Sequence, residues 1–143
     1  TASVEVSGIP WAPVKKPLND SVVALITTAG VHLKSQNPFD MMDKDGDPSY
    51  REIPSLSPLS EYMITHDYYD HADADSDLNI VFPIERLREM TESGEIKGLA
   101  KNNYSFMGHI DGHHIATLIE KTAPEVAGSL KREGVDVALL TPG

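Results

Sequence analysis

The fold is decided by the stretch Gly134-Val135-Asp136-Val137-Ala138-Leu139-Leu140-Thr141-Pro142-Gly143, which ends the sequence. Residues 135–141 are nearly all apolar, and they lie between a glycine and a Pro-Gly pair. A short apolar run bounded by turn residues is typical of a buried parallel strand. In open α/β sheets, ligands bind outside the carboxyl ends of the strands, where the next loop leads into a helix. We therefore expect the sequence to stop at the edge of a ligand site, with the loop and helix that complete the site lying beyond Gly143.

Three earlier segments are also predicted strands. Residues 21–28 (SVVALITT) and 96–100 (IKGLA) have the apolar content of core strands, and residues 62–65 form a shorter one. Right-handed crossovers between neighbouring parallel strands place their carboxyl ends at the same edge of a sheet. We therefore expect three segments to meet at one edge, namely residues 27–30, 101–107 and 141–143.

Two helices are predicted between these strands. Pro83 marks the start of a helix that ends near Gly94. A longer helix begins at residue 111 or 112 and passes through Leu130, and Pro124 either kinks it or divides it in two. Strands that alternate with helices predict an α/β fold. We expect one domain, residues 1–143, with a doubly wound, three-layer fold and a mainly parallel sheet. We expect this fold to be incomplete at its last strand.

Two segments lie outside this alternation. Residues 1–20 contain three prolines around Trp11, which predicts an extended Pro-rich arm with Trp11 as its anchor. Residues 34–60 are rich in Pro, Asp and Ser, and they predict a long ordered loop. Such loops are uncommon in compact domains unless they serve a function.

The composition narrows the classes of partner. The formal net charge is −10, which argues against binding to nucleic acid, because phosphates are neutralised by clustered Lys and Arg. No segment approaches the roughly 20 apolar residues that span a membrane. Residues 1–6 do not resemble a secretion signal, so we expect a cytoplasmic protein. The sequence has no Cys, which excludes disulfides and thiol catalysis by the residues present.

Five of the six histidines lie in two short stretches, residues 65–71 and 108–114. Histidine and carboxylate side chains are ligands for Zn, Mn or Fe, and catalytic sites often use three of them. The candidate ligands for a divalent transition metal are His66, Asp70, His71, His109 and His113. In the alternative interpretation, Asp111 caps the long helix and the histidines are solvated or hydrogen-bonded to the backbone.

Two further side chains are candidates for binding a small-molecule substrate. Thr28 ends a predicted strand, where hydroxyl and amide groups could hold a carboxylate or a carbonyl. Arg51, in the long loop, could bind a substrate carboxylate through two parallel hydrogen bonds. The alternatives are an ordinary strand-to-loop turn at Thr28 and a surface ion pair at Arg51.

Several stretches, taken together and in order, resemble the selenoprotein B family, which comprises subunits of the glycine, sarcosine, betaine and D-proline reductases. The stretches are residues 11–18 (WAPVKKPL), 23–32 (VALITTAGVH), 50–54 (YREIP), 66–70 (HDYYD), 77–87 (DLNIVFPIERL), 106–108 (FMG) and 134–141 (GVDVALLT). They cover most of the chain. On this resemblance we add His66, Asp70 and Asn79 to Thr28 and Arg51 as candidate substrate-binding residues.

The resemblance also implies a redox residue. In the family, the stretch similar to residues 135–143 leads directly into a selenocysteine or a cysteine, which attacks the substrate or its imine adduct and breaks a C–N bond reductively. Such a nucleophile is effective because it is ionised at neutral pH. We therefore expect the catalytic selenocysteine immediately after Gly143, and no catalytic residue within the sequence itself.

Two explanations for the missing residue remain open. A selenocysteine codon read as a stop would give a truncated product, and a short family member would never have had the redox centre. The histidines of residues 109–114 bear on the choice, because the family carries a glycine-rich run near that position. Their presence leaves room for metal-assisted chemistry.

Three hypotheses follow for the function. The first is a subunit of a selenoprotein-B-like reductase that acts on a small amino acid together with other reductase subunits. The second is a metal-dependent hydrolase or lyase with a metal-bound water as nucleophile. The third is a non-catalytic binding or assembly protein. In each case we expect a homodimer or a larger assembly, because a last strand without its covering helix leaves apolar surface and an open edge.

Overall fold

The computed structural model describes residues 8–9 and 12–143. The strands are β1 (Val22–Thr27), β2 (Val31–Leu33), β3 (Tyr50–Pro54), β4 (Tyr62–Ile64), β5 (Gly98–Leu99), β6 (Asn102–Phe106) and β7 (Val137–Thr141). The α-helices are α1 (Ala72–Ser76), α2 (Ile84–Glu92), α3 (His114–Thr117) and α4 (Ala123–Arg132). Short 3-10 turns occur at Leu18–Asp20, Leu59–Glu61 and Leu78–Ile80. None of the described helices is both long enough and apolar enough to cross a membrane.

Strand β1 lies at the centre of the larger sheet. It pairs in parallel with β7 along one side, and with β6 and β5 along the other. Strand β3 adds to the far side of β6 and runs antiparallel to it. Strands β2 and β4 form a separate antiparallel pair. The predicted α/β class and mainly parallel sheet are therefore confirmed.

Alternate residues of β1 belong to two different core clusters. Val23 and Leu25 pack in a cluster that includes Ile84 and Leu87 of α2. Ala24 packs in a second cluster with residues of α4. Successive side chains of a strand point to opposite faces of its sheet, so the apolar run of β1 is buried on both sides. The doubly wound, three-layer arrangement stays a prediction.

The predicted loop at residues 34–60 is shorter than expected, because it contains β3. The sequence of β3 has only one fully buried side chain, Ile53, and it ends at Pro54. Proline is tolerated at the edge of a sheet, where its missing N–H is not needed. An edge strand of this kind has no apolar run to reveal it, and the loop without strands is confined to residues 34–49.

The strand predicted at residues 96–100 is also misplaced. Only Gly98–Leu99 pairs there, and the longer strand is β6. The polar residues of β6 give it no apolar run, and one of them, Asn103, is hydrogen-bonded inside the fold. The buried Asn103 accepts the Leu25 N–H at 2.8 Å and donates to Ser55 Oγ at 2.7 Å.

The helix predicted from residue 111 or 112 begins at His114 and changes its winding before Pro124. A π-helical segment, Leu118–Thr122, separates α3 from α4. Pro124 is the second residue of α4 and follows the π-helical segment directly. The predicted kink or break is therefore a π-helical turn.

Strand β7 is parallel, as predicted, but it is not buried. It pairs with β1 alone among the described residues. Leu139 is 40% exposed and Leu140 is 68% exposed. An apolar run does not distinguish a central strand from an edge strand, which is why the prediction of burial was wrong.

The Pro-rich arm is described only in part. Trp11 and most of residues 1–11 lie outside the described residues, so the predicted anchor is untested. Residues 12–17 form no helix or strand and are exposed. Lys16 pairs with Asp136 at 3.1 Å, and this contact joins the arm to the start of the last strand.

Candidate active site at the strand ends

The carboxyl ends of β1, β6 and β7 meet at one edge of the sheet. Thr27 lies opposite Ser105 of β6 and Thr141 of β7. One residue further on, the Thr28 N–H donates to the Thr141 carbonyl at 3.0 Å. The convergence of these strand ends, expected from the sequence, is therefore confirmed.

Gly143 packs closely against the turn that follows β1. Its N–H donates to Thr28 Oγ1 at 3.3 Å. A Cβ atom at this position would lie 2.5 Å from the Cα of Ala29, which is closer than real contacts allow. A side chain at this position would therefore force the backbone to shift, and the predicted candidate Thr28 is in direct contact with Gly143.

His66 is the second predicted candidate that the structure places at this edge. Its side chain is buried, and its two ring nitrogens face backbone N–H groups. Nε2 is 3.2 Å from the Gly108 nitrogen, and Nδ1 is 3.1 Å from the Tyr68 nitrogen. Burial lowers the pKa of His66, and the neighbouring His109 and His71 lower it further, while Asp67 opposes the shift. The imidazole is therefore neutral at physiological pH.

The segment that carries His66 is held to the sheet by Gly30. The Thr65 N–H donates to the Gly30 carbonyl at 2.9 Å, and the Gly30 N–H donates to the Phe106 carbonyl at 3.0 Å. Gly30 has a φ of +71°, and a Cβ there would clash with the Thr65 carbonyl oxygen. This left-handed glycine therefore lets the segment after β4 approach the ends of β1 and β6.

Three further residues at the site were missed by sequence reasoning. The Gly108 N–H faces Nε2 of His66, and a Cβ atom at position 108 would lie 3.0 Å from the Thr28 carbonyl oxygen. Tyr68 is 57% exposed and stacks on His109 with ring centroids 4.0 Å apart. Tyr69 donates its hydroxyl to the Ala29 carbonyl at 3.0 Å. Burial, with a smaller contribution from Asp75, raises the pKa of Tyr69 to about 12, so this hydroxyl stays protonated. The aromatic pair between His66 and Asp70 was the available signal.

An apolar cleft of about 440 Å³ opens beside the strand ends. Its walls are formed by Thr28, Gly108 and Leu140 on the sheet side and by Val126 and Leu130 of α4. A larger cavity, of about 610 Å³, lies beside β5 and Arg88. Gly98 pairs with Val22, so that cavity adjoins the amino end of β1. We therefore take the smaller cleft, which touches the strand ends, as the candidate binding site.

The five predicted metal ligands are not brought together. Asp70 accepts the Ala72 N–H at 3.1 Å, and His71 pairs with Asp75 at 2.7 Å. His109 Nε2 donates to the Lys44 carbonyl at 2.8 Å, and His113 lies against Asp45 and His114. Across residues 8–9 and 12–143, no three His, Asp or Glu side chains form a group that could hold a metal ion. The five side chains therefore have other partners in the structure, and metal binding by them stays a prediction.

Arg51 orders the long loop instead of facing the cleft. Its guanidinium donates hydrogen bonds to the carbonyls of Asn37, Pro38 and Tyr50 and to the Ser49 hydroxyl. It also lies 4.2 Å from the ring centroid of Phe39. The loop already uses these donors, and a role of Arg51 in binding a substrate carboxylate stays a prediction.

Asn79 likewise serves the fold. Its side-chain nitrogen donates to Asp77 and to Glu85, at 3.0 and 2.8 Å. Its side-chain oxygen accepts the Glu85 N–H at 3.1 Å, in the first turn of α2. This network caps the start of α2. Of the five predicted substrate-binding residues, Thr28 and His66 thus lie at the strand ends, and Arg51, Asp70 and Asn79 have local structural partners.

Comparison with known proteins identifies the family. The family model described as glycine/sarcosine/betaine reductase selenoprotein B matches residues 4–143. The chain belongs to this family, so the resemblance inferred from the sequence stretches is confirmed. No solved structure gives a significant match.

Curated relatives are subunits of reductase complexes. The D-proline reductase subunit gamma of Acetoanaerobium sticklandii is 44% identical over 133 residues, which cover 93% of this chain and 53% of the relative. The glycine reductase complex component B subunit gamma of Carboxydothermus hydrogenoformans is 30% identical over 146 residues, or 93% of this chain and 30% of the relative. The betaine reductase complex component B subunit beta of Peptoclostridium acidaminophilum is 28% identical over 137 residues, or 91% and 29%. The chain thus spans about half the length of the first of these relatives, and less of the other two.

Proposed function

We propose that this chain forms the substrate-side α/β domain of a selenoprotein-B-type reductase subunit, which cleaves a C–N bond of a small amino acid reductively. The observation that carries the proposal is the contact of Gly143 with Thr28 where three parallel strand ends meet. Membership of a family of reductase subunits supports it. D-Proline is the first substrate to test, because the relative with 44% identity is named a D-proline reductase subunit.

The reaction in this proposal is a two-electron reduction. One C–N bond breaks, the carbon gains a hydrogen and the nitrogen gains a proton, so two electrons and two protons are consumed. We place the redox residue, a selenocysteine or a cysteine, next to the position of Gly143. A selenol or thiol there would supply the nucleophile, and a dithiol donor would supply the electrons.

In this proposal, the residues of this chain bind the substrate and orient it. The close approach of Gly143 to Ala29 fixes the direction of the proposed redox residue next to it. The exposed Thr28 side chain is available to a substrate carboxylate or carbonyl. The cleft beside them has apolar walls, including Leu140 and Val126. A dry site strengthens hydrogen bonds and charge interactions with the substrate.

The proposal includes partners and location. Curated relatives are named as subunits of complexes, so we propose that other reductase subunits bind this chain. We also propose a homodimer or larger assembly, a cytoplasmic location, and a doubly wound, three-layer architecture for the domain.

Gene deletion tests this function. Removing the gene in its source organism should abolish consumption of one substrate among D-proline, glycine, sarcosine and betaine. Reintroducing the gene should restore consumption. A deletion strain that consumes all four at the parental rate would contradict the proposal.

A further inference from the structure

We propose that His66 is a positioning residue for this site, which accepts the Gly108 N–H on Nε2 and thereby fixes the turn after β6 against Thr28. The inference rests on the proposed function in one respect, because only that function makes the strand ends a reaction site. The hydrogen bond itself can be tested without any assay of activity.

His66 and Gly108 fit closely together. His66 is 4% exposed, and its Nε2 lies 3.2 Å from the Gly108 nitrogen. A Cβ at position 108 would lie 3.1 Å from Nε2 and 3.0 Å from the Thr28 carbonyl oxygen. Glycine therefore allows a close approach on two sides, to the ring and to the end of β1.

Aromatic neighbours hold the ring of His66 in place. Its neighbours along the chain, Tyr68 and Tyr69, meet it edge-on, with centroids 6.1 and 4.8 Å away. Tyr69 is itself tied to Ala29 through its hydroxyl. Through Tyr69, the ring is thus connected to Ala29, in the turn after β1 that Gly143 also contacts. A displacement of His66 would therefore displace this turn.

The two ring nitrogens of His66 cannot both accept a hydrogen bond. A neutral imidazole has one nitrogen that accepts and one that donates, yet both nitrogens face backbone N–H groups. Only one of the two contacts can therefore be a hydrogen bond. The Tyr68 N–H lies in an exposed turn where water can serve as its acceptor, whereas the Gly108 contact joins two separate elements. We therefore assign the acceptor to Nε2 and the ring proton to Nδ1.

NMR on the chain decides this assignment. Long-range ¹H–¹⁵N spectra at neutral pH should show an unprotonated Nε2 and a protonated Nδ1 on His66. A scalar coupling across the hydrogen bond should connect the Gly108 nitrogen with Nε2. An unprotonated Nδ1, coupled to the Tyr68 nitrogen instead, would overturn the proposal. Because this measurement needs no variant, it stands even if substitutions at position 66 prevent folding.

Two variants provide a matched pair. In His66→Gln the side-chain oxygen can reach the position of Nε2, and in His66→Asn it can reach only the position of Nδ1. Exchange of the Gly108 amide hydrogen should quicken about tenfold in His66→Asn, as expected for the loss of one hydrogen bond, and by much less in His66→Gln. The Ala100 amide, which donates to Val23 at 2.8 Å, reports global stability. Equal Gly108 exchange in both variants, with Ala100 unchanged, would overturn the proposal.

Activity of the complete reductase complex links the contact to the reaction. His66→Asn should lower kcat more than it raises KM, because it displaces the site without removing a group that binds substrate. His66→Gln should recover part of the lost kcat. If the wild-type complex reduces none of the four substrates, the proposed function fails, and the NMR result still judges the His66 contact.

Discussion

Thr27 and Thr141, which lie opposite each other on β1 and β7, donate their hydroxyl groups to the same acceptor, the carbonyl of Val81. The two distances are 3.0 and 2.6 Å. The Val81 carbonyl, just before α2, thus ties the ends of two parallel strands together beneath the proposed site.

This shared acceptor gives a stability prediction. Thr141→Val removes one hydroxyl with little change of shape, and it should lower the free energy of unfolding by about 1 kcal/mol. Urea denaturation measures the effect. Thr122→Val is the matched control, because the buried Thr122 hydroxyl has no hydrogen-bond partner among the described residues. That substitution should be neutral or stabilising, and an equal loss in both variants would contradict the assignment.

Arg51 should act on the loop at residues 34–49. Arg51→Met removes four hydrogen bonds and the contact with Phe39. We expect a loss of about 2–3 kcal/mol, and faster cleavage of the loop in limited proteolysis. Arg86→Met is the control, because Arg86 makes an exposed pair with Glu89, and it should change stability by less than about 0.5 kcal/mol. If the two variants are equally stable and equally resistant to protease, Arg51 does not order the loop.

Asp47 should make stability depend on pH. Burial acts to raise its pKa, but hydrogen bonds from Ser49 and Asp40, with the charge of Arg51, outweigh burial and lower the pKa below 3.8. The unfolded state therefore binds the proton more readily, so the stabilisation is present above about pH 4 and is lost as the pH falls through the folded-state pKa. Asp47→Asn should be less stable than wild type at pH 7, and the difference should shrink by pH 3. A difference that stays constant in urea titrations at both pH values would contradict this prediction.

The exposed edge of β7 predicts self-association. Leu139 and Leu140 are exposed, and among the described residues β7 pairs only with β1, so its other edge is unpaired. An unpaired strand edge is a template for pairing. Light scattering at micromolar concentration should give at least twice the chain mass of 15.6 kDa. Leu140→Glu should reduce that mass, while Leu56→Glu, a change of another exposed leucine near β3, should not. A wild-type monomer would contradict the prediction.

The sequence predicted the parts of the fold that rest on local patterns. The apolar run of β1, the helix after Pro83 and the direction of β7 all follow from residues close together in the chain. Strand β6 was missed because Asn103 and Ser105 are polar, and the burial of Asn103 depends on partners far along the sequence. The polar side chain of Asn103 is satisfied by β1 and by Ser55, neither of which a local window includes.

The same limit applies to the site. Thr28 could be predicted because it ends an apolar strand. The contact of His66 with Gly108 could not, because these residues are separated by 42 positions and meet only after the segment following β4 crosses Gly30. Arg51 was predicted from its residue type and Asn79 from the family resemblance, but their donors are used by the loop and by the start of α2. A side chain's chemistry is visible in the sequence, whereas its partners are set by the fold.

Turnover tests the central claim most directly. The reductase complex, purified through this chain, would be given a dithiol donor and each of D-proline, glycine, sarcosine and betaine in turn. The account predicts cleavage of one of them, with D-proline giving 5-aminopentanoate, or one of the others giving acetate and the free amine, and one dithiol oxidised for each C–N bond broken. Failure to cleave any of the four, with the partner subunits present, would contradict the account.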